Sequence, residues 1–82
     1  MKIVVAVNGD GHFMAASLYD REKVEKIIGD LQDGDFVANM SEEEKIVYDN
    51  IIYENPAPVS NITWRDFVYG LQQRGTIEII EL

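Results

Sequence analysis

The residue types best suited to chemistry in this sequence lie in one glycine-rich connector, VNGDGHF at 7–13, which holds Asp10 and the chain's only histidine, His12. Two chemistries would use such a connector: phosphate binding through backbone N–H groups, or acid/base catalysis by Asp10 and His12. A phosphate-binding loop runs from a strand into a helix, whereas this connector joins two strand-like runs and no Lys-Ser/Thr pair follows it. The pattern therefore favours a hairpin turn.

Other catalytic and metal-binding patterns also fail. The chain has no cysteine, which excludes disulfides, thiol nucleophiles and Cys-ligated metals. A calcium loop would place Ala6 or Gly29 at the first ligand position, where a carboxylate is required. We expect no enzyme, cofactor or metal site. A small enzyme or ligand binder that uses Asp10 and His12 is kept as a second alternative.

The strongest compositional feature is an excess of acids. Fifteen Asp and Glu face seven Lys and Arg, a net charge of −8, and residues 20–54 hold eleven of the acids but only four of the bases. Binding to phosphates needs Lys and Arg that displace counterions, so we expect no direct binding to nucleic acid and none to membranes. A solvated face that keeps the chain soluble remains the simpler interpretation of the acids.

The length and the apolar runs bound the organisation of the chain. Eighty-two residues suffice for one domain with a small core, so residues 1–82 are expected to form a single domain. The leading apolar run at 3–7 is too short for a signal-peptide core or a membrane span. We expect a soluble, cytoplasmic protein.

The elements can be predicted from periodicity and turn residues. Residues at 3–7 alternate as in a strand, and FMAASLY at 13–19 supplies a second strand after the Asn8-Gly9 turn signal. The first helix is expected from about Asp20 to Leu31 because its apolar residues recur at helical spacing. The last helix is expected to begin after Thr63, to end before Gly75, and to lead into a C-terminal strand.

The segment 42–54 is ambiguous. Ser41 and Glu44 have the spacing of a capping box, which favours a helix. Its β-branched and aromatic residues favour a hairpin turning at Asp49-Asn50 instead. We prefer the helix, because acids in a first turn complement the helix dipole. The fold class is then α+β, ordered β-β-α-α-α-β, with an antiparallel sheet of the N-terminal hairpin plus the C-terminal strand and helices packed on one face.

With catalytic patterns absent, protein binding is the function that the sequence favours. In composition the chain is similar to small acidic proteins of phages and mobile elements, which implies an inhibitor or adaptor that occludes a host or defence protein. Its partner would carry a basic, nucleic-acid-binding surface. Self-association as a homodimer or structural component is the alternative. Candidate partner-binding residues are the central acids and two tyrosines: Asp30, Asp33, Asp35, Glu42, Glu43, Glu44, Tyr48 and Tyr53.

Overall fold

The computed structural model describes residues 1–31, 37–53 and 61–82. Its elements follow the expected order β-β-α-α-α-β of an α+β fold. They are β1 (Lys2–Val7), β2 (Phe13–Ser17), α1 (Arg21–Asp30), α2 (Glu42–Tyr53), α3 (Trp64–Gln73) and β3 (Glu78–Glu81). The helix expected over 42–54 is confirmed and the alternative hairpin is wrong, since α2 is continuous through Asp49 and Asn50.

The three strands form one antiparallel sheet with β1 in the centre, in the order β2-β1-β3. Val4 on β1 pairs with Ala16 of β2 and with Ile79 of β3. Val4 is fully buried and Ala6 nearly so, which places them on the face that the helices cover. Because successive side chains alternate across a strand, Ile3, Val5 and Val7 lie on the opposite face.

The connector between β1 and β2 is a turn built around Asn8. The Asn8 side-chain oxygen accepts hydrogen bonds from the backbone N–H groups of Asp10 (3.0 Å) and His12 (2.9 Å). Gly11 has a φ of 81°, in the left-handed region that residues with a Cβ rarely adopt. The glycine with a positive φ is thus Gly11, and not the Gly9 of the Asn8-Gly9 pair on which the hairpin prediction rested.

Replacing Gly11 with valine is expected to lower the free energy of unfolding by about 1 kcal/mol or more, because a β-branched residue is strained at positive φ. Denaturation in urea measures the loss. Gly29→Ala is the matched control: a Cβ at Gly29 would lie 3.7 Å from the Cδ1 atom of Ile52, an ordinary contact in a helix. A loss in both variants, or in neither, would contradict the assignment of strain to Gly11.

The helix ends are satisfied by local side chains and glycine. Asp20 accepts from the N–H of Lys23 at the start of α1, and Thr63 accepts from the N–H of Asp66 at the start of α3. Gly75, with a φ of 78°, follows α3. Hydrogen bonds from Gly75 and Thr76 N–H groups back to the last turn of α3 form a Schellman motif. These caps were readable from the sequence.

The core lies between the sheet and the three helices. Its fully buried side chains come from β1, α1, α3 and the residue preceding β3: Val4, Val24, Ile28, Phe67, Val68, Leu71 and Ile77. Side chains of α2 pack more loosely, since Val47, Tyr48 and Ile51 are only partly buried against this cluster. Most of the buried helical side chains of the core therefore come from the apolar faces of α1 and α3.

Candidate functional site

The Asp10–His12 connector lies at the edge of the fold, and both residues are exposed. Within the described part of the chain, no group of three or more His, Cys, Asp or Glu side chains is arranged to hold a metal ion. No helix of that part is long and apolar enough to cross a membrane. The geometry of the turn accounts for Asn8, whose side chain accepts two backbone N–H groups, and for Gly11, which has a positive φ.

The central acids do not form one cluster among the described residues. Asp33 and Asp35 lie outside those residues. Gly29, the neighbour of Asp30, packs near Ile52 at the C-terminal end of α2. Glu42 begins the same helix, about 15 Å away along its axis at 1.5 Å per residue. Asp30 and Glu42 are exposed, and they lie towards different ends of the helical layer.

Glu44 belongs to the interior of the protein. It is 3% exposed, and its carboxylate accepts from the backbone N–H of Ser41 (3.0 Å) and from Arg74 Nη1 (2.5 Å). Ser41 Oγ in turn accepts from the N–H of Glu44, which completes the expected capping box. A Cβ at Gly70 would lie 2.7 Å from Glu44 Oε2, so the carboxylate fills the space that this glycine leaves. Glu44 therefore has no free oxygen on an exposed acidic surface.

Glu43 and the two tyrosines differ in their availability to a partner. Glu43 is half-buried and accepts from the backbone N–H of Asn61 at 2.8 Å, which ties the start of α2 to the segment before α3. Tyr48 is partly buried against the core, and this burial raises the pKa of its phenol. Tyr53 is 70% exposed. Tyr53 is thus the tyrosine of the predicted set that a partner would reach without rearrangement.

The sheet presents an apolar surface on the side away from the helices. We call it the open sheet face, and its members are Ile3, Val5, Val7, Phe13, Ala15 and Ile80. Phe13 is 70% exposed and Val7 58%. Glu78, opposite Val5 on β3, is the charged residue that the strand register places on this face. From residue 3 to residue 20 the sequence has no Lys or Arg, and residues 75–82 have none either.

A second surface feature is a cleft of about 360 Å³ between the start of β1, the end of the hairpin and the first turns of α1 and α3. We call it the cationic cleft. Its lining combines three cations with three aromatic rings and one leucine: Lys2, Arg21, Arg65, Tyr19, Trp64, Tyr69 and Leu18. Three of the seven Lys and Arg of a strongly acidic chain therefore meet at one concavity.

The cations of this cleft are held by its aromatic rings. Arg21 Cζ lies 4.6 Å from the centre of the Trp64 ring, and Arg65 Cζ lies 5.6 Å from that of Tyr69. Lys2 Nζ donates a hydrogen bond to the Tyr69 hydroxyl at 3.1 Å, an interaction that raises the pKa of Lys2. These contacts place all three cationic side chains against the aromatic rings of the cleft.

Sequence reasoning missed both the open sheet face and the cationic cleft. The open sheet face could have been predicted in part from residues 3–7. The residues at odd and at even positions are all apolar there, which is typical of a strand with two hydrophobic sides. The cleft had a weaker signal. Two of its three basic residues stand near an aromatic one in the chain, Arg21 after Tyr19 and Arg65 after Trp64. Lys2 joins them only through the fold.

No family model matches the sequence, and no curated protein or solved structure matches it either.

Proposed function

We propose that this protein is a protein-binding module that docks through its open sheet face. The observation that supports it is a nearly uncharged apolar surface, with Phe13 and Val7 well exposed, on a chain of net charge −8. Large apolar side chains grouped on one exposed surface are typical of interaction sites. In this proposal the module is an inhibitor or adaptor that covers a functional surface of its partner.

The size of the open sheet face indicates what the partner must look like. Three strands about 4.8 Å apart and about five residues long span roughly 15 by 17 Å, or about 250 Å² of flat area. A stable complex buries about 800 Å² of accessible surface on each side. Contacts must therefore extend beyond the apolar centre to its surroundings. Asp10 lies in the turn at the end of the hairpin, and Glu78 lies on the face itself, opposite Val5. Glu81 pairs with Lys2 and belongs to the other side of the sheet.

The partner that fits this arrangement has an apolar patch bordered by Lys or Arg. Opposite charges around an apolar centre speed association and select the partner. A nucleic-acid-binding surface has such basic borders. The protein would then act as an inhibitor by covering that surface of its partner. A second copy of the chain fits less well, because it would bring another net charge of −8 against the same acids.

The test compares two equally exposed aromatic residues. Phe13 on the open sheet face and Tyr53 at the end of α2 are each 70% exposed. The probe is a displayed library of random peptides selected on the immobilised protein. Selected peptides are expected to combine apolar residues with Lys or Arg, and to lose about ten-fold or more in affinity for Phe13→Ser, while Tyr53→Ser binds like the native chain. Circular dichroism checks that both variants fold.

Other outcomes identify other surfaces. A loss confined to Tyr53→Ser would overturn docking through the sheet and favour the helical surface of Asp30 and Tyr53. Peptides without basic residues would contradict the charge argument. A native dimer in sedimentation velocity that Phe13→Ser converts to monomer would make a second copy the occupant and refute the proposed partner.

The acids have a test of their own. Glu42→Lys combined with Asp30→Lys changes two exposed acids that lie away from the open sheet face. We expect this double variant to slow association with the selected peptides by about two- to ten-fold through loss of long-range attraction, and to leave dissociation unchanged. Faster dissociation instead would place one of these acids in direct contact with the peptide.

A further inference from the structure

We propose that the cationic cleft binds a small organic anion with a flat apolar body, such as an aryl carboxylate or an aryl phosphate. This site is separate from the open sheet face, because no residue of that face lines it. Its lining comes from Lys2, from Leu18 and Tyr19 after β2, and from α1 and α3. The proposal therefore does not depend on the protein-binding function above.

Charge is the first argument. Outside the cationic cleft the chain has four Lys and Arg against its fifteen acids, so positive charge is concentrated at this one place. Arg21 is neutralised by Glu25 at 2.9 Å. Lys2 and Arg65 have no carboxylate within 4.0 Å among the described residues. Glu81, opposite Lys2 on β3, contributes a negative charge near Lys2 without an ion pair within 4.0 Å. Because neither Lys2 nor Arg65 has an ion-pair partner among the described residues, the concavity has a local preference for an anionic group.

The second argument is the shape and lining of the cleft. A volume of about 360 Å³ lies at the small end of ligand pockets and accommodates one or two fused aromatic rings. Leu18 and the rings of Trp64 and Tyr69 supply apolar walls against which a flat ring packs. Apolar walls with a few convergent charged groups are the usual composition of a small-molecule site.

The overall charge restricts the ligand further. A net charge of −8 repels polyanions such as nucleic acid or nucleoside triphosphates at long range. An anion with one or two charges is repelled much less. The apolar body then supplies affinity and the anionic group supplies orientation. This combination distinguishes the expected ligand from inorganic phosphate, which has no surface to pack on the aromatic walls.

Trp64 gives a direct readout, since it is the chain's only tryptophan and lines the cleft. The experiment titrates naphthoate, naphthyl phosphate and the neutral naphthamide into the ¹⁵N-labelled full chain. We expect both anions to shift the single indole N–H signal saturably, with dissociation constants of about 1 mM or below, as is usual for ligands of this size. Naphthamide is expected to bind about ten-fold more weakly.

Matched variants assign the binding to the cations. Lys2→Met and Arg65→Gln keep most of each side chain's bulk and are each expected to weaken naphthoate binding by about ten-fold. Lys45→Gln removes an exposed cation of α2 that does not line the cleft, and is expected to leave binding unchanged. Backbone amide spectra show whether each variant keeps the native fold.

The alternative results are equally clear. Equal binding of naphthamide and naphthoate would overturn the anion preference and leave a merely apolar cleft. If Lys45→Gln weakened naphthoate binding as much as Lys2→Met or Arg65→Gln, binding would depend only on the total charge of the protein and not on the cleft. No saturable shift of the Trp64 signal up to millimolar ligand would refute the site. A stronger response to naphthyl phosphate than to naphthoate would identify phosphate as the preferred anionic group.

Discussion

Replacing Arg74 with methionine is expected to lower the free energy of unfolding by about 3 kcal/mol. The substitution leaves the Glu44 carboxylate buried with one hydrogen-bond donor, the Ser41 N–H, and no counter-ion. Removing one partner of a buried ion pair costs about 3–5 kcal/mol, and the lower end applies because the Arg74 side chain is 34% exposed. Urea denaturation measures the change.

The charge explanation can be separated from the loss of packing. In the double variant Glu44→Gln with Arg74→Met, no charge is left unpaired, and the glutamine oxygen still accepts from Ser41. This variant is expected to recover about half or more of the stability that Arg74→Met loses. Lys45→Met is the control: it removes the exposed cation that follows Glu44 in the sequence, and it should change the free energy of unfolding by less than about 0.5 kcal/mol. If Arg74→Met were as mild as Lys45→Met, the ion pair would contribute nothing to folding.

The same interaction explains a glycine that helix propensity disfavours. Gly70 lies inside α3, where glycine costs about 1 kcal/mol relative to alanine. The Glu44 carboxylate occupies the position that a side chain would take, and Arg74 one turn later holds that carboxylate. Gly70, Glu44 and Arg74 therefore form one unit that joins α2 to α3.

Features encoded within a few residues were predictable from the sequence. The capping residues Asp20, Ser41 and Thr63 each bond to an N–H three residues away, and Gly75 ends α3 through a φ that only glycine adopts easily. These signals fixed the helix starts, resolved the ambiguous segment in favour of a helix, and with the strand periodicity gave the α+β order.

Features that depend on distant residues were not predictable. Glu44 and Arg74 lie 30 residues apart, and no local rule pairs them, so Glu44 was expected on an exposed acidic surface. The cationic cleft brings together Lys2, Arg21 and Arg65 from three elements. The open sheet face depends on which alternating set of β1 the helices cover, and with Val on both sides the sequence is nearly symmetric. The Glu44–Arg74 pair, the cationic cleft and the covered face of β1 are determined by strand register and by the packing of elements that are distant in the sequence.

Leu71→Ala is the other substitution expected to have a large effect. The Leu71 side chain is fully buried, and its truncation leaves a cavity that costs about 2–5 kcal/mol. A chain of this length has a total stability of roughly 4–12 kcal/mol at the usual value per residue. The variant should therefore melt about 10 °C or more below the native protein.

Trp64→Ala provides the contrast, since it removes a larger side chain from the same helix. Trp64 is only partly buried at the wall of the cationic cleft, and its Nε1 atom is buried without a hydrogen-bond partner among the described residues. Its ring contacts Phe67 at 5.6 Å, a pair worth about 0.5–1.5 kcal/mol. We expect Trp64→Ala to cost about 1–2 kcal/mol and Trp64→Phe, which also removes the unpaired donor, almost nothing. A larger loss for Trp64→Ala than for Leu71→Ala would show that Trp64 belongs to the core, and that the cleft beside it is a packing defect and not a place for a ligand.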